Sequence, residues 1–123
     1  MLLLDTHVML GLIGGGNPAL QDVRQERLFV SVASLWEVAI KVRLGKLELT
    51  VPLSDLDAQL EELGCTVSEV RASHAIADAD PWPDTNDPFD RLLLAVCQVE
   101  GLRLVTRDRK LVGHPLAWRP PSA

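Results

Sequence analysis

Residues 87–108 of this 123-residue chain read DPFDRLLLAVCQVEGLRLVTRD, and the stretch divides into a helix, a stop and a strand. Asp87 and Pro88 make a helix start, with Asp as the cap and Pro at the first helical position, where its missing N–H is not needed. The middle of the following segment, to about Glu100, is almost wholly apolar, which predicts a buried helix. Gly101 ends it, and 103–106 is a strand. The same alternation runs through the rest of the chain. Leu2, Leu3 and Leu4 read as a short buried strand, 8–13 as a short helix ended by Gly14-Gly15-Gly16, and Asn17-Pro18 as the start of a second short helix over 18–25. A strand is expected at 28–30 and an amphipathic helix over 34–44. Gly45 closes that helix, with Lys41, Arg43 and Lys46 at its carboxyl end, as the helix dipole favours. Pro52 and Ser54 open a helix running to Leu63, 65–70 reads as a strand, and 73–79 as a helix stopping before Pro81. The segment 80–86 (DPWPDTN) is a loop, and the proline-bearing tail holds a last short strand near 116–118. Strands alternating with helices predict an α/β chain: a three-layer α/β/α domain with a mainly parallel central sheet, one domain spanning 1–123.

Composition bounds the rest. At 47% hydrophobic residues the chain can bury a core without disulfides or a structural metal. Cys65 and Cys97 have no metal-ligand spacing and are expected as buried thiols in a reducing, cytoplasmic setting. The N-terminus lacks the basic-then-apolar pattern of a signal peptide, and no stretch has the length to cross a bilayer, so no membrane partner is expected. A net charge of −5 excludes a general nucleic-acid coat, because sequence-independent binding works by neutralising phosphates. A nuclease remains open if positive charge is local or a metal supplies it.

Four acids stand where such a fold would gather them: Asp5 after the first strand, Glu37 and Asp90 within apolar helical patterns, and Asp108 three residues beyond Val105. Open parallel sheets bind ligands beyond the carboxyl ends of their strands. Carboxylates collected there repel one another unless a cation joins them, and hard divalent ions take oxygen ligands together with water and substrate phosphates. Each acid also has an ordinary explanation. Asp5 could cap the first helix, and its position alone does not choose between capping and chemistry. Glu37 could pair with Lys41 four residues on, although it borders the stripe of Ala33, Ile40 and Leu44. Asp90 could belong to a capping arrangement, but Asp87 fills that role and Asp90 faces Leu93, Leu94 and Cys97. Asp108 could cap a strand-to-helix turn, with Thr106 placed to orient a neighbouring carboxylate. Arg91, Arg107, Arg109 and Lys110 flank these acids, either as solvated surface or as countercharge for phosphate. His7 could line the site, while the histidines show no ligand spacing. Trp36, Trp82 and Trp118 are expected to pack, with Trp82, in its proline-rich loop, also a candidate contact residue.

Asp5-Thr6-His7, Ser34-Leu35-Trp36-Glu37, Asp87-Pro88-Phe89-Asp90-Arg91 and Leu104-Val105-Thr106-Arg107-Asp108 together resemble the PIN domain, most closely in the VapC-like toxins of toxin–antitoxin pairs. The resemblance spans almost the whole chain, and residues 40–47 are similar to one VapC-like subgroup. It implies a Mg²⁺- or Mn²⁺-dependent ribonuclease whose metal site is Asp5, Glu37, Asp90 and Asp108, supported by Thr106. Arg91, Arg107 and Lys41 would then be candidate RNA contacts. A homodimer and a cognate antitoxin are implied as partners; the helices near 8–13 and 53–63 are the candidate dimer faces. Thr85, Asn86 and Leu111 depart from the family pattern at positions that bear on substrate contacts, not on the acids. Other functions fit less well. A phospho-receiver domain would show paired acids after the first strand and a lysine near the last, and an aspartyl phosphatase would show Asp where His7 stands. The alternative within the family is a catalytically silent PIN module acting by protein or RNA binding.

Overall fold

Leu2, Leu3 and Leu4 form β1 (Leu2–Leu4), the inner strand of a four-stranded parallel sheet in a computed structural model that describes residues 1–15, 23 and 25–120. The other strands are β2 (Leu28–Ser31), β3 (Cys65–Ser68) and β4 (Arg103–Val105), in the spatial order β3-β2-β1-β4. Leu3 registers with Phe29 on one side and with Leu104 on the other. Successive side chains of a strand point to opposite faces, and β1 uses both. Leu2 and Leu4 enter one apolar cluster with Val30, Cys65 and Val105; Leu3 enters the other with Leu93, Leu94 and Leu104. Burial on both faces explains why β1 is a run of three leucines rather than an alternating pattern, whereas the edge strand β3, Cys-Thr-Val-Ser, is buried only at Cys65.

The helices supply the outer layers. α1 (Thr6–Ile13), α2 (Val32–Arg43) and α3 (Leu56–Glu62), the last preceded by a 3₁₀ turn at Leu53–Asp55, contribute Met9, Val38 and Leu60 to the first cluster. α5 (Pro88–Glu100) covers the opposite face through Leu93, Leu94, Val96 and Cys97. The three-layer α/β/α arrangement follows as expected. Asp87 caps α5 by accepting from the N–H of Phe89 at 2.9 Å, Pro88 is its first residue, and Gly101 ends it at φ 71°, a left-handed conformation that favours glycine.

Differences from the sequence reading lie at element ends. α1 begins at Thr6 and α2 at Val32, because Asp5 and Ser31 act as caps. The helix expected over 73–79 is the four-residue α4 (Ala72–Ala75), and β3 stops at Ser68. The expected strand near 116–118 is a single parallel bridge between Leu104 and Ala117. The helix expected over 18–25 falls almost entirely outside the described residues. Among the described residues, no helix is long and apolar enough to cross a membrane.

Leu94 is fully buried under the sheet. Leu94→Ala is expected to lower unfolding free energy by about 2–5 kcal/mol, while Val99→Ala at the exposed side of α5 changes it by less than about 0.5 kcal/mol. Urea denaturation of both variants checks the assignment of the buried face.

Candidate active site

Asp5 leaves the carboxyl end of β1 and is 3% exposed. One oxygen, Oδ1, accepts from the N–H of Val8 at 2.8 Å, and the Thr106 side chain lies close enough to favour the ionised carboxylate. The capping role and the site position are therefore held by the same side chain. Burial raises its proton affinity above the ordinary Asp value; the Thr106 side chain, the Val8 hydrogen bond and the nearby His7 oppose that shift, and Asp108 adds to it. Thr106 accepts in turn from the backbone N–H of Asp108 at 3.1 Å. The ends of β1 and β4 are joined directly by the Asp5 N–H donating to the Val105 carbonyl at 3.0 Å.

Glu37 is buried on α2, at 9% exposure. Its Oε1 lies 2.7 Å from Thr6 Oγ1, which stands 3.0 Å from Ser34 Oγ, and its Oε2 accepts from Lys41 Nζ at 2.8 Å. A carboxylate only accepts, so the Thr6 proton goes to Glu37 and the Ser34 hydroxyl completes the chain. The ordinary i, i+4 ion pair considered from the sequence is present, and it holds the side chain at the site's edge. A cleft of about 350 Å³ opens beside it, lined by Ile40, Lys41, Pro88 and Phe89.

Asp90 sits one turn into α5, half-buried, with Asp87 occupying the cap. Its pKa is pushed up to about 6, first by desolvation and then by the negative charges of Asp87, Asp108, Glu37 and Asp5. All four expected acids therefore contribute to one local field, although they come from four separate segments. Asp108 is partly exposed and accepts from the N–H of Lys110 at 2.8 Å, so it too organises a turn. Arg107, Arg109 and Lys110 beside it are exposed.

Among the described residues, no three His, Cys, Asp or Glu side chains stand as a ready-made metal cage. Asp5, Glu37 and Asp108 are each engaged by protein donors. The donor set nevertheless suits a hard divalent ion. It is all oxygen, carries excess negative charge, and needs to offer such an ion only one or two carboxylates beside water and phosphate.

The sequence reading missed Thr6 and Ser34 as partners of Glu37. Both lay in the quoted motifs, and Ser34 precedes Glu37 by three residues, on the same helical face. Trp36, expected to pack, is 62% exposed, and Trp82, read as packing or as a contact residue, is 63% exposed.

Residues 2–113 match the family described as PIN domain, and the chain belongs to that family. Within known proteins it is similar to Ribonuclease VapC22 of Mycobacterium tuberculosis, at 35% identity over 89 residues, 72% of this chain and 68% of that protein. A solved toxin–antitoxin complex from Klebsiella pneumoniae contains a chain of the same fold, with a TM-score of 0.66 at 17% identity and 98% of each chain covered.

Between pH 4 and 6 the folded, metal-free protein retains a proton on Asp90 that the unfolded chain has already lost, because the folded pKa is the higher one. Raising pH through that window therefore lowers stability. Asp90→Asn is expected to stabilise the metal-free protein at pH 7.5 by about 1 kcal/mol, a fraction of the full displacement because solvent screens a half-buried group. The advantage should vanish at pH 4. Thermal unfolding in EDTA at the two pH values checks both statements.

Proposed function

We propose that this chain is a Mg²⁺- or Mn²⁺-dependent ribonuclease, acting in the cytoplasm as the toxin of a toxin–antitoxin pair. The observation that carries the reading is the grouping of Asp5, Glu37, Asp90 and Asp108 at the carboxyl edge of a parallel sheet, where Asp90 is raised to about 6 first by desolvation and then by the charges of Asp87 and the other three acids. The likeness to a protein named a ribonuclease supports the substrate class. The toxin–antitoxin complex of the same fold agrees with an antitoxin partner.

Asp5 and Asp90 are assigned as direct ligands, with Glu37 and Asp108 completing the shell directly or through water. When bound, a divalent ion supplies an activated water and neutralises charge on the phosphate in the transition state. The chain's own residues do the positioning. Thr106 keeps the Asp5 carboxylate oriented, and Thr6, Ser34 and Lys41 fix both oxygens of Glu37. Arg91, Arg107 and Lys41 are read as contacts for substrate phosphates, Lys41 at the cleft beside Glu37. Pairing of two subunits would align such cations along one groove, which a protein of net charge −5 needs in order to hold RNA.

The purified chain is expected to cleave RNA with Mg²⁺ or Mn²⁺ and to stop in EDTA. Asp5→Asn and Asp90→Asn should lower kcat by at least about 100-fold, and Thr106→Val by about 10- to 100-fold. RNA left intact by folded wild type with either metal would replace the enzyme by a module that only binds protein or RNA. Light scattering at micromolar concentration is expected to give a mass near twice 13.5 kDa; a monomer with full activity would remove the dimer from this account.

A further inference from the structure

Trp82 is 63% exposed, yet the loop that carries it is tied down on both sides. The N–H of Asp80 donates to Gln98 Oε1 at 2.6 Å, and Gln98 Nε2 donates to the carbonyl of Asp78 at 2.9 Å. Buried His114 accepts from the N–H of Leu116 through Nδ1, which leaves its Nε2 proton to donate to the Pro81 carbonyl at 2.7 Å. Beyond the ring, the buried Thr85 hydroxyl accepts from the N–H of Asp87 at 3.1 Å. A fixed loop that leaves an indole in water forgoes the area that tryptophan ordinarily buries.

Two further observations say what the ring faces. The Arg91 guanidinium lies over it, with Cζ 3.7 Å from the ring centroid, a close cation–π contact. Trp82 also lines a cleft of about 280 Å³ together with Pro81, Asp84, Arg109, Lys110 and Pro115, near the small end of ligand sites, which begin at about 300 Å³. Arg91 directly follows Asp90, and Arg109 and Lys110 directly follow Asp108. The cations at the cleft and over the ring are thus chain neighbours of two of the four acids.

We propose that this cleft is a nucleotide subsite for single-stranded RNA, in which a base stacks on Trp82 and the adjoining phosphate meets Arg109 or Lys110. The proposal rests on the ribonuclease reading above. Aromatic faces backed by arginine beside backbone-tracking cations are what single-stranded nucleic acid uses, because every base offers a π face. Asp84 adds an acceptor that suits a base N–H and repels phosphate, so the base lies on its side of the cleft and the phosphate on the side of Arg109 and Lys110.

The test measures binding of a short fluorescent single-stranded RNA by anisotropy in EDTA, where cleavage is silent. Trp82→Ala is expected to weaken binding by about 5- to 150-fold, the range for loss of one base stack, with Trp82→Phe recovering most of it. In a Trp36→Phe/Trp118→Phe protein, whose remaining indole is Trp82, emission should be quenched by the same RNA. Arg109→Ala or Lys110→Ala should reduce the slope of log affinity against log salt by about 0.7. Equal affinities for wild type and Trp82→Ala, with wild type still cleaving RNA, would overturn the subsite and leave the ribonuclease standing. RNA binding that depends on Trp82 without cleavage in Mg²⁺ or Mn²⁺ would do the reverse. Quenching by a co-expressed antitoxin but not by RNA would assign the cleft to a protein partner and end the proposal.

Discussion

Leu2, Leu3 and Leu4 pair with parallel strands on both sides, and their side chains fill both apolar clusters. Parallel pairing makes every strand end on the same edge of the sheet. Asp5, at the end of β1, thereby comes next to the turn after β4 that carries Thr106 and Asp108, with α2 and the start of α5 closing round them. A one-residue slip of β1 would exchange Leu3 for Leu2 and Leu4 beneath α5 and turn Asp5 away from Thr106. The register of three leucines is thus what the acid cluster depends on.

Much of this could be read from the residues themselves. The cap, Pro88 and Gly101 bracket α5 because each has a backbone reason to stand there, and the all-apolar middle could only be covered by a sheet. The order of the acids was equally plain. Their choice between ordinary and special roles was not, because the two are not exclusive in this protein. Asp5 caps α1 and stands beside Thr106, which favours its ionised form; Glu37 pairs with Lys41 and is bonded to Thr6. A sequence ranks one partner against another, whereas a carboxylate has two oxygens and can keep both.

The misread parts share a different cause. α4 is shorter than its composition suggested, and the chain just beyond it is fastened instead to Gln98, which bonds the Asp78 carbonyl and the Asp80 N–H across 20 and 18 residues. Trp36 was expected to pack, as large apolar residues usually do, and Trp82 to pack or to serve as a contact residue. Trp36 instead meets Phe89 edge-on at 5.7 Å, and Trp82 meets Arg91. In each case the decisive partner comes from α5, and no local pattern announces it.

Lys41 gives the region around Glu37 a further property. Its ammonium lies 2.8 Å from Glu37 Oε2, one helical turn away on the same helix, so the pair forms without a bimolecular encounter. Glu37 thus carries a tethered counter-ion of its own. On the metal-dependent reading proposed above, a divalent ion that took Glu37 as a ligand would have to displace that lysine as well as shed some of its own water.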